Sequence, residues 1–274
     1  MGGGGEGQGA RPLNLDATGV PHGHVRPRSR RLPRGWCWKH VRRLLGNAGH
    51  EVFTPTLTGS GERHHLLTRE VDLATHIQDI VHVLEYEDLR EVVLVGHSYG
   101  GMVITGVADR APERLAHLVY LDAHLPDSGQ AASGAFSEGT SEVLQSLSQA
   151  QGDDWLLPPL PPQAMGVTRP EDVAWVQPRR VPHPLRTLNE PLHLSRGPCS
   201  LPSTYVRCAQ RAGLIEAFGT DPLTPFFEKA RKRGFRFRDI DVGHDAMVAA
   251  PELTSQALLE LVLEGPERNP RLSA

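Results

Sequence analysis

Apolar positions follow two alternating patterns along the chain after residue 35. Apolar residues spaced three or four apart predict helices at Lys39–Ala48, Leu73–Leu84, Met102–Arg110 and Leu253–Leu263. Short apolar or β-branched runs predict strands at Glu51–Pro55, Glu91–Val95, Leu115–Leu121, Thr204–Cys208 and Phe235–Ile240. Strands that alternate with helices are typical of βαβ units. The pattern therefore predicts an α/β fold with a mostly parallel central sheet flanked by helices.

Two stretches interrupt this pattern. Residues from about 126 to 201 are rich in Ser, Gln and Pro and include the run PPLPP at Pro158–Pro162. Because a structureless loop of that length is uncommon inside a compact domain, we interpret the stretch as an inserted, mostly helical lid. Residues 1–35 contain nine Gly, four Pro and six Arg against two acidic residues. We expect them to be linker-like and to precede one domain over residues 36–274.

The composition excludes several classes of protein. The 274 residues carry 29 basic and 32 acidic side chains, for a net charge of −3, so no overall positive field favours nucleic acid. No apolar run is long enough to span a membrane, and the first residues lack the apolar core of a secretory signal. The three cysteines (Cys37, Cys199 and Cys208) cannot all pair and have no metal-ligand spacing. We expect free thiols in a reducing cytoplasm.

The clearest chemical signal is the segment VVLVGHSYGGM at Val92–Met102. It places the motif G-x-S-x-G, here Gly96 to Gly100, between a predicted strand and a predicted helix, which is the context of a nucleophile elbow. The flanking glycines allow the tight turn, and the turn raises the Ser98 hydroxyl above the carboxyl edge of the sheet. The helix N-terminus favours developing negative charge, so we expect the backbone N–H of Tyr99 to donate to an oxyanion.

A serine nucleophile needs a base, which in this architecture follows the last strand. His244 holds that position within the segment DVGHD at 241–245, whereas His97 inside the elbow is interpreted as structural. An acid is expected between nucleophile and base in chain order. Asp221, in the loop after the strand Thr204–Cys208, is our first choice.

Other readings of these acids stay open. Asp122 ends the strand Leu115–Leu121 and is the alternative acid, since a carboxylate there can also reach the base; Glu216 is the third choice. Asp221 could instead cap a helix or form an Asp-Pro turn.

From Gly35 to about Val262 the chain resembles the α/β-hydrolase superfamily. Within it, the chain is similar to small bacterial esterases related to plant methylesterases and hydroxynitrile lyases. The resemblance rests on residues 35–63, 92–129 and 241–252. It implies an eight-stranded sheet with a lid and a triad of Ser98, His244 and Asp221, with no metal or organic cofactor. Asp221 precedes Pro225 by four residues, as the family's acid precedes a proline.

The resemblance also implies a reaction. The lyases of this branch carry a lysine after the catalytic histidine, and its charge stabilises the leaving cyanide. Asp245 stands at that position here, so hydrolysis of a small carboxylic ester through an acyl-enzyme on Ser98 is favoured over the lyase reaction. A non-catalytic small-ligand binder and an inactivated product are the alternatives. Trp36, Trp38, Trp155 and Trp175 line the pocket or belong to the core; the oligomeric state is not predicted.

The N-terminal segment supports one more hypothesis. Relatives in this branch begin with a strand and loop of the type FVLVHGACHGG, and this loop supplies a second oxyanion donor. Val25–Gly35 reads VRPRSRRLPRG instead, with two prolines and five arginines that do not suit a buried strand. If Arg is encoded by CGN, Pro by CCN, Ser29 by TCN and Leu32 by CTN, the codons of these residues read one base later are compatible with FVLVHGACHGG at every fixed base. We hypothesise that residues up to about Gly35 are out of frame and that this chain lacks a central strand and the second oxyanion donor.

Overall fold

A parallel sheet forms the centre of the described structure. The computed structural model describes residues 25–26, 35–197 and 199–263. The strands are β1 (Val25–Arg26), β2 (Val92–His97), β3 (Leu115–Leu121), β4 (Leu156–Leu157), β5 (His183–Pro184), β6 (Ser203–Cys208) and β7 (Arg236–Ile240). The main sheet has the order β1-β2-β3-β6-β7, and every pairing in it is parallel. This confirms the predicted fold class.

Four of the predicted strands are present as β2, β3, β6 and β7. The predicted strand at Glu51–Pro55 is wrong, because the structure has no strand at residues 51–57. A strand forms only where a neighbouring strand completes its hydrogen bonds, and no described strand pairs with residues 51–55. The outermost described strand beside β2 is β1, which pairs over only two residues, with Val93 and Leu94. The resemblance implied eight strands; the described residues form five in the main sheet and the short antiparallel pair β4 and β5.

The helices cover both faces of the sheet. They are α1 (Lys39–Asn47), α2 (Leu73–Tyr86), α3 (Gly100–Arg110), α4 (Glu138–Gln151), α5 (Pro170–Val176), α6 (Arg186–Asn189), α7 (Ala212–Phe218), α8 (Thr224–Lys232), α9 (Ala246–Ala249) and α10 (Pro251–Leu263). The predicted helices correspond to α1, α2, α3 and α10 and differ from them by at most two residues at either end. No described helix is long and apolar enough to cross a membrane.

Alternating side chains of the strands divide the core into two layers. Leu94 and Leu118 belong to the layer that contains α2 and α3, whereas Val95 and Val119 belong to the layer that contains α1 and α10. A strand that is apolar on both faces is expected where helices cover both faces of a parallel sheet. This burial holds β2 and β3 in register, and so fixes the positions of the residues that follow them.

The segment between β3 and β6 forms a small layer of its own. It contains α4, α5 and α6 and the antiparallel pair of β4 and β5, in which Leu156 faces Pro184. We refer to residues 126–201 as the lid. Of the atypical segment 1–35, only Val25, Arg26 and Gly35 lie within the described residues, so its interpretation as a linker or an out-of-frame segment is outside them.

Candidate active site

The turn between β2 and α3 holds Ser98 in a constrained backbone conformation. Ser98 has a φ of 54°, in the left-handed region that side chains other than glycine rarely adopt. Its N–H donates to the Leu121 carbonyl (3.2 Å), and its carbonyl accepts from the His124 N–H (3.0 Å). These two bonds join the elbow to the end of β3. They stabilise a strained turn that lifts the hydroxyl off the sheet.

Glycines permit the close contacts around this turn. A Cβ on Gly96 would lie 2.6 Å from the carbonyl oxygen of Gly100, and one on Gly101 would lie 1.9 Å from the carbonyl oxygen of His124. Both distances are far inside van der Waals contact, so larger residues cannot occupy these positions without moving the backbone. The sequence analysis identified Gly96 and Gly100; the requirement at Gly101 comes from the neighbouring loop and is visible only in three dimensions.

His244 lies directly beside Ser98. Its Nε2 is 2.9 Å from Ser98 Oγ, and its Nδ1 is 2.6 Å from Oδ2 of Asp122. A carboxylate only accepts, so Nδ1 carries the proton and Nε2 is free to accept from the serine hydroxyl. Ser98, His244 and Asp122 are each at most 3% exposed. The three side chains form one buried chain of hydrogen bonds.

The carboxylate that contacts His244 is that of Asp122 and not that of Asp221, our first choice for the acid. Asp221 lies on Arg211 instead: its Oδ2 accepts from Arg211 Nε at 3.0 Å. Its Oδ1 also accepts from the Leu223 N–H (3.0 Å), two residues along the chain, so the turn interpretation of Asp221 describes its local contacts, whereas the N-cap residue of α8 is Leu223. Asp122 reaches His244 because it directly ends β3, two strands from β7, whereas Asp221 is separated from β6 by α7. Glu216 is exposed on α7.

Arg211 joins the two carboxylates. Its Nη1 donates to Asp122 Oδ2 at 2.6 Å, and its Nε and Nη2 both donate to Asp221. Burial of Asp122 opposes ionisation, but the hydrogen bond and charge of His244 and the charge of Arg211 outweigh it and hold the pKa of Asp122 below its usual value. Burial likewise opposes the charge of Arg211, yet its two carboxylate partners raise its pKa. Asp122 is therefore ionised at neutral pH.

The side chains of the site follow neighbouring strands and therefore lie at one edge of the sheet. Ser98 follows β2, Asp122 follows β3, Arg211 follows β6 and His244 follows β7. These four strands are adjacent and parallel, so their carboxyl ends meet, as they do at the ligand sites of open α/β sheets. Asp122 has a φ of 44° and donates its own N–H to the Val206 carbonyl at 2.7 Å, which turns the chain sharply out of the sheet.

A narrow apolar pocket opens onto Ser98 and His244. The remaining residues that line it are His124, Phe136, Thr140, Leu144, Leu160, Met165, Leu214, Phe218, Pro222 and Leu223. None of these lining residues is Asp, Glu, Lys or Arg, and none is one of the four tryptophans. Trp38 is buried in the core instead, and Trp36 packs edge-on against Trp175 at 5.0 Å. The pocket suits a small uncharged group next to the reacting atom.

Tyr99 is the N-cap residue of α3, so its backbone N–H lies at the positive end of that helix. This is the position expected of an oxyanion donor. Its side chain is directed elsewhere, with the hydroxyl 3.1 Å from Nδ1 of His76. The loop expected to supply a second donor precedes Gly35 and lies outside the described residues.

His97, His244 and Asp245 have possible metal-ligand atoms within 4.8 Å of one another, and all three residues are buried. However, both nitrogens of His244 already contact Ser98 and Asp122. His97 Nε2 lies 2.8 Å from the His244 carbonyl, to which it donates. A metal would have to break these contacts, so the cluster does not fit one.

Two residues of the site were missed by the sequence analysis or given a lesser role. Arg211 was not considered, and its signal was available: it is the third residue after β6, in the loop where site residues of this fold lie. His97 was interpreted as structural, and the structure shows what it holds. Its ring packs 4.5 Å from that of His244 and its Nε2 bonds the His244 backbone. It therefore fixes the position of the neighbouring imidazole.

A parallel sheet with a strict strand–turn–helix elbow and a histidine after the last strand defines the α/β-hydrolase class. The sequence matches the model described as "Alpha/beta hydrolase family" over residues 20–257. A carbendazim hydrolyzing esterase of Nocardioides sp. is 37% identical over 238 residues, which are 83% of this chain and 94% of the relative. Methylesterase 1 of Arabidopsis thaliana is 31% identical over 121 residues, 40% of this chain and 43% of that one.

A solved structure shows the same fold. An extracellular alpha/beta-hydrolase from a Paenibacillus species superimposes with a TM-score of 0.73 at 21% identity, covering 86% of this chain and 98% of that one. The chain belongs to the alpha/beta hydrolase family. Its relatives place it among the esterase-type hydrolases.

Proposed function

We propose that this protein is a serine hydrolase that cleaves a small, uncharged carboxylic ester through an acyl-enzyme on Ser98. The observation that carries the proposal is the unbroken hydrogen-bond chain from Ser98 Oγ through His244 to Asp122, with distances of 2.9 and 2.6 Å. This geometry lets the imidazole accept the hydroxyl proton while the carboxylate holds its tautomer and stabilises its charge.

Each residue has one task in this mechanism. Ser98 Oγ attacks the ester carbonyl as its proton passes to Nε2 of His244, and the carbonyl oxygen becomes an oxyanion near the Tyr99 N–H. The C–O bond to the alcohol breaks, and His244 returns the proton to the departing oxygen. Water then attacks the acyl-Ser98 ester with His244 again as the base, which releases the acid and restores Ser98.

The pocket and the relatives support an ester with a small alcohol. The lining residues around Ser98 are uncharged, so an ionic group next to the carbonyl would lose its hydration without gaining a partner. The relatives are described as a carbendazim hydrolyzing esterase and a methylesterase. We therefore propose methyl and other short-chain esters as the first substrates to test.

Asp245 argues against the lyase alternative. It is only 7% exposed, follows His244 directly and is the N-cap residue of α9, without a side-chain capping bond. A carboxylate there would repel a leaving cyanide, which carries the same charge. Incubation with mandelonitrile should therefore release no cyanide above background; a clear cyanide signal that depends on Ser98 would favour the lyase.

The decisive experiment compares p-nitrophenyl acetate hydrolysis by the unaltered chain and by Ser98→Ala and His244→Ala. Each substitution should lower kcat by at least about 10⁴-fold, because nucleophile and base act as a unit. Ser146→Ala, which changes an exposed residue of α4, is the matched control and should keep full activity. If Ser98→Ala retains activity, the proposed site is wrong. If the unaltered chain binds esters without turning them over, the non-catalytic alternative is favoured.

The three cysteines bear on the cellular compartment of the protein, which is also part of the proposal. Cys37, Cys199 and Cys208 form no disulfide, and burial raises the pKa of the thiols of Cys199 and Cys208, which keeps them protonated and unreactive. We propose a reducing, cytoplasmic setting. Mass analysis of the protein isolated from its source, with and without thiol alkylation, would test it.

A further inference from the structure

A second cavity lies in the lid, next to the pocket of Ser98. It has a volume of about 610 Å³, within the range of roughly 300–1,000 Å³ that small-molecule sites occupy. One wall is the face of α4 that carries Ser141, Gln145 and Gln149, and the opposite wall includes Asn189 of α6. We call it the α4 cleft.

The α4 cleft and the Ser98 pocket share two wall residues. Phe136 and Leu144 line both spaces. The Phe136 ring packs edge-on against His124 at 5.4 Å, and His124 itself lines the Ser98 pocket. The two spaces are therefore adjacent, and Phe136 and Leu144 stand between the reacting atoms and the cleft. A substrate that extends from Ser98 towards the lid meets the cleft on the other side of these two side chains.

The chemistry of the cleft differs from that of the Ser98 pocket. Besides Leu and Phe side chains, it presents three carboxamides, those of Gln145, Gln149 and Asn189, and several serine hydroxyls. Carboxamides both donate and accept hydrogen bonds. None of the residues that line the cleft is Lys or Arg, and Asp154 adds one carboxylate. The lining can pair with neutral hydrogen-bonding groups and disfavours an anion.

A buried hydroxyl gives an independent indication of a ligand. Ser148 lines the cleft from α4 and is only 2% exposed, and no described residue hydrogen-bonds its Oγ. A buried hydroxyl without a partner destabilises a folded protein, and such groups in native structures require an explanation. A hydrogen-bonding group seated against α4 supplies the missing partner.

From these observations we infer that the α4 cleft binds the distal end of the ester's acyl chain, and that this end is an uncharged group that donates and accepts hydrogen bonds, such as an amide. The inference rests on the proposed function, because the acyl chain can reach the cleft only from an ester whose carbonyl lies at Ser98. In this assignment the α4 cleft, and not Ser98, His244 or Asp122, selects the end of the acyl chain.

Three methyl esters that differ only at the far end test it. In each, carbon 6 of the acyl chain forms the centre of the end group, which is a primary amide (methyl adipamate), a carboxylate (monomethyl adipate) or an isopropyl group of similar size (methyl 6-methylheptanoate). Acid release in a pH-stat gives kcat/KM. The amide should exceed the carboxylate and the isopropyl ester by at least about tenfold. Equal values, or a preference for the carboxylate or the isopropyl end, would overturn the inference.

Substitutions then locate the effect. The double variant Gln145→Met/Asn189→Leu keeps side-chain size and should abolish the preference for the amide mainly through KM, because it lowers kcat/KM for the amide ester and raises it for the isopropyl ester. Gln151→Met makes a similar change at the exposed end of α4, outside the cleft, and should keep the preference. If the double variant keeps the preference, the amide is recognised elsewhere and the α4 cleft is not the site.

Ser148→Ala adds a readout besides activity. Removal of an unpaired buried hydroxyl should raise the Tm of the free protein and lower kcat/KM for the amide ester. Loss of stability without any change in amide preference would contradict the assignment. Hydrolysis of p-nitrophenyl acetate by the same preparations separates the two proposals. If that ester is cleaved but the end groups are not distinguished, the cleft assignment fails alone; if it is not cleaved, the proposed function fails.

Discussion

Arg211 and His244 donate hydrogen bonds to the same oxygen, Oδ2 of Asp122, and each does so at 2.6 Å. One carboxylate oxygen therefore accepts two hydrogen bonds, and one of the two donors, Arg211, is permanently charged. Arg211 is in turn held from the other side by Asp221. Arg211 thus holds the carboxylate that bonds to His244, and Asp221, our first choice for the acid, contacts Arg211 and not His244.

The two aspartates should respond very differently to neutralisation. Asp122→Asn removes the acceptor of the His244 Nδ1 proton and favours the wrong tautomer, which should lower kcat by about 10³–10⁴-fold. Asp221→Asn loses only a partner of Arg211 and should cost less than about tenfold. Initial rates on p-nitrophenyl acetate measure both, with Glu216→Gln as a silent control. The reverse order would return the role to Asp221.

Arg211 should support catalysis by holding Asp122 in place. Its Nη1 donates to Asp122 Oδ2 at 2.6 Å, so Arg211→Gln removes a charged donor from the buried carboxylate and should lower kcat by about 10–100-fold. Arg211→Lys keeps the charge without the paired geometry and should lose less activity. Initial rates on p-nitrophenyl acetate measure both variants. Equal losses of rate that parallel equal falls in Tm would reduce Arg211 to a purely structural role.

A buried histidine away from the site should make stability fall in weak acid. His117 lies in β3 with Nε2 2.9 Å from Thr204 Oγ1; burial, assisted by the charge of Arg236, lowers the pKa of His117 from 6.5 to about 4. The unfolded chain therefore takes up this proton first as pH falls from 6.5. Stability that is fully present above pH 6.5 is lost progressively down to about pH 4, by at most about 3 kcal/mol.

Urea unfolding at several pH values between 4 and 7 measures this loss. His117→Gln retains a partner for Thr204 but cannot titrate, so its free energy of unfolding should fall less over the same range. His64→Gln, at an exposed position, should follow the unaltered protein. Parallel curves for all three proteins would show that His117 does not carry the effect.

The reading frame of the N-terminal segment can be tested directly. β1 begins at Val25 and lies beside β2, which is the place that the strand encoded in the next frame would occupy. We expect the nucleotide sequence over codons 25–35 to spell FVLVHGACHGG one base later. The frame-restored chain should have a higher Tm and a kcat raised by about 10²–10³-fold through a second oxyanion donor. Codons that spell no such strand, or full activity of the present chain, would refute the hypothesis.

The contrast between what was and was not predictable has a physical basis. Ser98 and His244 each stand in a short local sequence motif, so the sequence alone could single them out, and the structure brings their side chains to within 2.9 Å. The acid is selected by distance across strands that are remote in the chain, and Asp122 and Asp221 have equally plausible local contexts. The strand at Glu51–Pro55 failed for the same reason: a strand depends on its neighbour, and local pattern carries no information about the partner.

The central claim is that Ser98 is a nucleophile activated by His244 and Asp122, and the most direct measurement of it is covalent labelling by paraoxon. Ser98 Oγ would form the bond to phosphorus as p-nitrophenolate leaves and His244 takes the proton, so the reaction reports activation without complete ester turnover. Peptide mass analysis should find one diethylphosphoryl group, on the peptide that carries Ser98. Asp221→Asn should label at nearly the unaltered rate, while His244→Ala and Asp122→Asn should label far more slowly. Labelling at another residue, or equal rates in His244→Ala, would contradict the account.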